Sequence, residues 1–431
     1  MLKKPLRIGL AGLGTVGRGV VKILQENGDL VAERAGRRVE VAAVSARNVK
    51  ADRGVDISAY RFAGNALELA AAEDIDLVVE LVGGSEGLPL DLCRGALTNA
   101  KHVVTANKAM IAHHGMALAT LAEEKGVALK FEAAVAGGIP IIKTLREGLS
   151  ANRITHVSGI LNGTCNFILT QMEATGRDFA DMLAEAQSLG FAEADPSFDV
   201  DGIDTAHKLA ILSSVAFGTA LDFSSVATEG IRNITAVDIK YAGDFGYRIK
   251  LLGTASYSAQ GLEQRVAPCL VDLKSAIAHV DGAYNAVVAE GDFAGRITIE
   301  GRGAGEGPTA SAVVADIIDI ARGSHFPVFS APVAKMPAAH PVSTSEHIGS
   351  FYIRLHVYDR PGVIAEVSEL LSREEISIES LIQRGHGPGG GIFVVLTTHE
   401  TREARLRRAL QKIAKLDCMV EAPAAIRIER K

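Results

Sequence analysis

Residues Gly12-Leu13-Gly14-Thr15-Val16-Gly17 stand between an apolar run, 6–11, and a stretch with helical periodicity, 15–25. No other feature of the chain restricts its fold as strongly. A strand that turns on glycines directly into a helix opens a parallel α/β sheet, whose strands need helical crossovers on the sheet faces. Gly12 allows the tight turn, Gly14 lets the backbone approach a pyrophosphate, and Gly17 lets helix and strand pack closely. The helix that starts at Thr15 and Val16 then offers free N–H groups and a positive dipole end to an anion. Dinucleotide binding is the reading; a glycine-rich turn without a ligand is the alternative.

The alternation continues to about residue 135. Runs 39–45, 75–81, 102–105 and 128–131 read as strands, and 90–99 and 110–125 as helices, a doubly wound pattern. Residues 1–135 are therefore expected to form a Rossmann-type dinucleotide-binding domain. From 136 the rhythm changes. Helical stretches 139–149, 165–174, 179–189 and 203–217, with strands 153–161, 249–257, 264–270 and 286–290, predict an α+β domain over 136–310 for substrate binding and oligomerisation. The helical segment 311–325 is expected to pack back on the first domain. Four prolines (Pro327, Pro332, Pro337 and Pro341) mark 326–348 as a linker. Beyond it, 350–358, 376–383, 392–399 and 418–428 read as strands and 362–373 and 402–413 as helices. That βαββαβ order over 349–431 is a ferredoxin-like module, with a glycine-rich hairpin tip at 385–391.

Composition narrows the function classes. A chain of 431 residues is too long for one ordinary core, and its 48% hydrophobic and 22% charged residues are those of a soluble globular protein. A net charge of -6, without a basic stripe, gives no support to nucleic-acid binding. No run reaches the ~18 apolar residues of a membrane span. Lys3 and Lys4 before an apolar stretch mimic a signal peptide, but the glycine spacing inside that stretch argues against one. Cys93, Cys165, Cys269 and Cys418 form no CxxC pair, so a reducing, cytoplasmic setting is expected.

The densest chemistry lies in 193–208, Glu-Ala-Asp-Pro-Ser-Phe-Asp-Val-Asp-Gly-Ile-Asp-Thr-Ala-His-Lys. Asp204 and Lys208 are four apart and share a helix face. A lysine leading into the apolar run 209–217 is costly unless it has a partner or a task. It is either half of an ordinary Asp–Lys pair or a proton-transfer group beside a nicotinamide. The second task needs a lowered pKa, which a nearby carboxylate opposes. Lys108, at the end of Val104-Thr-Ala-Asn-Lys108, leaves a strand at the carboxyl edge of the sheet. It either reaches cofactor or substrate, or is a surface lysine at a helix start. The second strand ends in Val44-Ser45-Ala46-Arg47 instead of an acid, with Lys50 and Arg53 behind. That favours a 2′-phosphate and NADP(H), with NAD(H) as the alternative. Asp195 and Asp201 read as turn and cap residues. Cys165 reads as a packed thiol, in preference to a nucleophile.

These segments, together with Glu132–Pro140, Gly159–Thr164 and Gly303–Ser311, resemble the homoserine dehydrogenase family in its single-function bacterial form with a C-terminal ACT domain. The resemblance implies interconversion of L-homoserine and L-aspartate 4-semialdehyde with NAD(P), on the route to threonine and methionine. It implies Lys208 as the catalytic proton-transfer residue, Glu193 and Asp204 holding the substrate, and Gly190, Gly305 and Lys108 contacting the cofactor. It also implies a monovalent cation, sodium or potassium, at Glu132, Val135, Gly137 and Ile139. In the ACT module the loop Asp359-Arg360-Pro361-Gly362-Val363 would bind an amino-acid effector, threonine by hypothesis. Glycine and free helix N–H groups there suit a carboxylate. A homodimer or homotetramer is expected. The competing expectations are a different semialdehyde oxidoreductase and a ligand-binding regulator without turnover.

Overall fold

Strand β1 (Leu6–Ala11) is flanked by β2 (Val39–Ser45) on one side and β4 (Leu77–Glu80) on the other, all parallel. With β3 (Arg61–Phe62), β5 (His102–Thr105) and β6 (Leu129–Lys130) they form a six-stranded sheet of order β3-β2-β1-β4-β5-β6. The computed structural model describes residues 4–48, 51–324, 326–386 and 391–429. Val- and Ile-rich strands buried on both faces are what a parallel sheet covered by helices requires. The order reverses at β1/β4, the switch point where such sheets bind ligands. The helix Glu306–Arg322, late in sequence, packs on the early helix Thr15–Glu26, and Ala310, Val313 and Ile317 share a core with Leu6, Ile8 and Val20. Gly19 makes that approach possible, since a Cβ there would stand 2.9 Å from the Glu306 Cγ.

The second sheet is mixed and spans two sequence regions. Its strands are β7 (Ile154–Ile160), β8 (Ala227–Thr228), β9 (Tyr247–Ser258), β10 (Gly261–Asp272), β11 (Tyr284–Gly291), β12 (Gly295–Arg302), β13 (Ile348–Tyr358), β14 (Ile378–His386), β15 (Gly391–Thr398), β16 (Thr401–Arg402) and β17 (Ala424–Glu429). They run β12-β11-β7-β9-β10-β17-β13-β15-β14, with β8 on β10 and β16 on β13. The C-terminal strands and the helices Val363–Arg373 and Glu403–Ile413 make the ferredoxin-like module. Its strand β17 pairs in parallel with β10, from Cys269↔Arg427 to Val271↔Glu429, so two modules share one sheet.

Three local readings differ from the structure. The helical stretch at 139–149 is one α-turn, Ile141–Lys143, followed by the π-helical turn Thr144–Gly148. The buried Glu132 carboxylate takes the Ile142 and Lys143 N–H groups at 2.8 and 2.9 Å, fixing the entry to that turn from outside. The last strand starts at Ala424 and not at residue 418, because Pro423 has no N–H and restrains the residue before it. The proline-rich stretch 326–348 is extended but packed: Phe329 is fully buried, and the Val333 N–H donates to the Glu123 carboxylate at 3.0 Å. Further on, the Leu262 N–H donates to the His340 carbonyl and the Val342 N–H donates to the Leu262 carbonyl, pinning the segment along β10. The residues of the 385–391 hairpin tip from 387 to 390 lie outside the described residues, as does Lys50.

Candidate active site

The glycine turn forms the first half of the site. Gly12 has φ +95, and a Cβ there would stand 2.4 Å from the Leu81 carbonyl oxygen. A Cβ at Gly17 would stand 2.0 Å from the Gly12 carbonyl oxygen. At Gly14, by contrast, nothing lies within 4 Å. The outer two glycines are thus demanded by packing, while Gly14 faces open space, which is the room a pyrophosphate needs. Leu13 and Gly14 line a cavity of about 600 Å³ whose far end holds Arg47 and Arg53. Arg53 donates to the Ala51 and Asn48 carbonyls and so orders its own loop. Thr15 and Val16 open the helix. On the other flank, buried Glu80 accepts from the Val82 and Gly83 N–H groups and from the Thr105 hydroxyl, the last at 2.6 Å.

The second half is a cavity of about 800 Å³ lined by Lys108, Asp204, Lys208, Gly190 and Gly305 among others. Gly202, at φ +86, ends the acidic loop and launches the helix Ile203–Phe217, almost all of it buried. Asp204 lies in its first turn, where a carboxylate suits the helix dipole. Lys108 starts the helix Lys108–Lys125, whose cap Asn107 accepts from the Met110 N–H at 3.1 Å. The two lysines converge on one carboxylate: Lys108 Nζ is 2.6 Å from Asp204 Oδ1, and Lys208 Nζ is 2.7 Å from Oδ2. Lys208 also donates to the Leu161 carbonyl at 2.7 Å, at the end of β7. The expected Asp–Lys helix pair is formed, and its lysine also lines the cavity.

Electrostatics separate the partners. Burial raises the Asp204 carboxyl, but the adjacent Lys208 and Lys108 outweigh it and hold Asp204 well below the ordinary carboxylate range. Burial, with repulsion from Lys108, pushes Lys208 below the ordinary lysine value despite the opposing pull of Asp204. His207, beside Lys208 in sequence, packs on Phe223 with ring centroids 4.4 Å apart. Its pKa is pushed down to about 4, chiefly by burial, so it stays neutral near pH 7.

Other expected residues sit differently. Glu193 is exposed and does not line the cavity, although Gly190 and Phe191 just before it do. Glu132 is buried, and burial together with Asp316 raises its carboxyl. The carbonyls of Val135 and Gly137 accept no hydrogen bond from the described residues, whereas Ile139 accepts from the Ile141 N–H at 2.8 Å. Ala136 and Gly137 both have positive φ, 55 and 53, a strained path for Ala136. Two free carbonyls with one carboxylate fit a hard, weakly charged ion. Among the described residues no group of three His, Cys, Asp or Glu gathers for a tighter cage. In the C-terminal module, Asp359, Pro361, Gly362 and Val363 line a cavity of about 300 Å³, with Gly362 at φ +95 before the helix Val363–Arg373.

Sequence reading missed Asn162. Its Nδ2 donates to Asp204 at 2.9 Å and Asp199 at 2.8 Å, while its Oδ1 caps the helix Gly163–Thr175 through the Cys165 N–H. The Asn-Gly step before a helix is the signal that could have pointed to it. Cys165 is buried and its thiol is raised, chiefly by burial, which fits packing and not nucleophilic attack.

A family model described as the NAD-binding domain of homoserine dehydrogenase matches residues 12–132, one described as homoserine dehydrogenase matches 140–318, and an ACT domain model matches 351–416. The homoserine dehydrogenase of Pseudomonas aeruginosa is 46% identical over 99% of both chains. The chain belongs to the homoserine dehydrogenase family. That of Bacillus subtilis, 37% identical over 99% of both chains, shows the same full-length match. The crystal structure of a homoserine dehydrogenase from Thiobacillus denitrificans superposes with a TM-score of 0.93 at 43% identity, covering 99% of this chain and 98% of that one. A hyperthermophilic archaeal homoserine dehydrogenase in complex with NADPH gives 0.64 at 27% identity, covering 75% and 100%. Homoserine dehydrogenases are oxidoreductases that use a pyridine nucleotide, and the Rossmann-type sheet, mixed-sheet unit and ACT domain described above are this chain's form of that fold.

Proposed function

We propose that the protein interconverts L-homoserine and L-aspartate 4-semialdehyde, on the route to threonine and methionine, with NADP(H) preferred over NAD(H). One observation carries the proposal: two lysines share the buried Asp204 in the wall of a cavity that also includes the glycine loop at 303–305. NADP(H), when bound, supplies or accepts the hydride. Gly12–Gly17 would hold the pyrophosphate, Arg47 the 2′-phosphate, and Gly190, Gly305 and Lys108 the nicotinamide end. The NADPH carried by the archaeal relative supports that choice.

In the oxidative direction neutral Lys208 takes the hydroxyl proton at Nζ; in the reductive direction the ammonium returns it to the developing alkoxide. Asp204 orients both lysines and the substrate oxygen. Glu193 would meet the substrate ammonium group from its loop. The cation of Glu132, Val135, Gly137 and Ile139, sodium or potassium, would stabilise the turn leading to the Gly303 loop, since a Cβ at Gly137 would stand 2.2 Å from the Gly303 carbonyl oxygen. The loop 359–363 would sense threonine. The protein would act in the cytoplasm as a homodimer or homotetramer; among the described residues no helix is long and apolar enough to cross a membrane.

The test is NADPH oxidation by purified protein with L-aspartate 4-semialdehyde, with and without L-threonine, for wild type and Lys208→Ala. Expected are turnover in wild type, its suppression by threonine, and its loss in the variant. Absence of turnover with both NADPH and NADH would refute the proposal.

A further inference from the structure

The cavity that holds the two lysines is also lined by the paired strands β11 and β12, where Tyr284 faces Arg302 across the ladder. The amino-acid substrate proposed above carries a carboxylate at the end away from its reacting carbon. A buried or half-buried carboxylate needs a cation or several donors. Lys108 and Lys208 each already engage an oxygen of Asp204, so both ammonium groups have a bound anionic partner. Arg302 is different. It lines the same cavity, its residue is exposed, and its guanidinium has no ion pair or hydrogen bond among the described residues. Its backbone is fixed, because the Arg302 carbonyl accepts from the Gly138 N–H at 3.1 Å and β12 leads straight into the Gly303–Gly305 turn. Beside it, Asn285 is 1% exposed, and neither its amide oxygen nor its nitrogen has a partner. A buried amide without a partner, beside a guanidinium whose five N–H donors are open to the cavity's solvent, makes that wall suited to a polar ligand.

We infer that Arg302 is the specificity residue that anchors the α-carboxylate of the substrate, holding the amino acid with its γ-oxygen toward Lys208. The inference rests on the proposed substrate. A guanidinium matches a carboxylate bidentately and fixes orientation as well as charge. The substrate would thus be gripped at both ends, by Arg302 at the carboxylate and by the Asp204–Lys208 pair at the oxygen. A substrate of the same length without the carboxylate would lose the first grip and keep the second.

The experiment compares L-homoserine with its carboxamide analogue in wild type, Arg302→Ala and Arg302→Lys, and titrates each protein with NADPH by following the fluorescence of the reduced nicotinamide. The chain has no tryptophan to interfere. Expected in Arg302→Ala is a rise in KM for homoserine of about 10- to 100-fold, with kcat and the NADPH Kd near wild type. The wild-type preference for the acid over the carboxamide should collapse toward one, and Arg302→Lys should restore part of it. An unchanged KM and an unchanged acid preference would overturn the inference. So would an NADPH Kd weakened by the same factor, which would assign the guanidinium to a cofactor phosphate. Wild-type protein that binds no NADPH and turns over no homoserine would instead overturn the functional proposal itself.

Discussion

Lys208 and Lys108 share Asp204, and the two neighbours act on Lys208 in opposite senses. Burial and the Lys108 charge lower the Lys208 pKa, and Asp204 raises it. Lys108→Met removes the repulsion and leaves Asp204 to Lys208 alone, so the Lys208 pKa rises. Under the proposed mechanism, in which oxidation uses neutral Lys208, homoserine oxidation should then move its pH limb upward, and semialdehyde reduction should persist to higher pH. Asp204→Asn has the opposite sign and should move the oxidative limb downward, alongside a raised KM. Rate profiles in both directions would check both shifts, and a downward shift in Lys108→Met would refute the arrangement. Much at this scale was legible in sequence. Asp204 and Lys208 are four apart on one face, so the helix period alone puts them in contact. Lys108 was placed at the correct sheet edge but could not be paired with Asp204, which is 96 positions away in the chain. For Asn162 the Asn-Gly step could have shown the helix cap, but not its bridge to Asp199 and Asp204, which local pattern does not report.

At the level of elements, the glycine turn was the most readable part of the chain, since each glycine answers a separate steric demand. Gly17→Ala would set a Cβ 2.0 Å from the Gly12 carbonyl oxygen and so displace the turn. NADPH binding should fall by at least 10-fold in fluorescence titration, whereas the chain should still fold; unaltered binding would count against the cradle. The turn at 141–148 was less readable, because the Glu132 carboxylate that shapes it comes from outside the segment. A second buried carboxylate ties elements together. Asp238, in the helix Ala236–Asp244, accepts from Arg354 Nε at 2.8 Å and from the Tyr352 hydroxyl at 3.1 Å, both on β13. Asp238→Ala leaves Arg354 without its buried partner and should cost about 3–5 kcal/mol. Denaturant titration would measure it, and a loss under about 1 kcal/mol would show that Glu421, also bound to Arg354, suffices.

For the molecule as a whole, the alternation of strands and helices announced the parallel sheet, and the βαββαβ order announced the C-terminal module. What sequence could not announce was their junction. The β10–β17 ladder covers three residue pairs, and nothing in either strand's composition specifies the other as its neighbour. The packed course of 326–348 was hidden likewise, because proline-rich composition predicts an extended chain and not what the chain lies on. Ending the chain before β13 would strip β17 from β10 and bare its apolar edge at Cys269, Leu270 and Val271, an unpaired edge of the kind that recruits other chains. Such a truncation should run as aggregates in size-exclusion chromatography; a soluble, active product of normal size would show the catalytic part to be self-sufficient.

That shared ladder also bears on protein engineering. Were the proposed sensing role correct, a strain that overproduces amino acids would need an enzyme deaf to its end product, and removing the C-terminal module would be the obvious shortcut. Here the shortcut is a cut through woven cloth. The end of β7, which gives the Leu161 carbonyl to Lys208, belongs to the same fabric as β13, with β9, β10 and β17 between them. Single substitutions in the proposed 359–363 ligand loop would leave that weave whole.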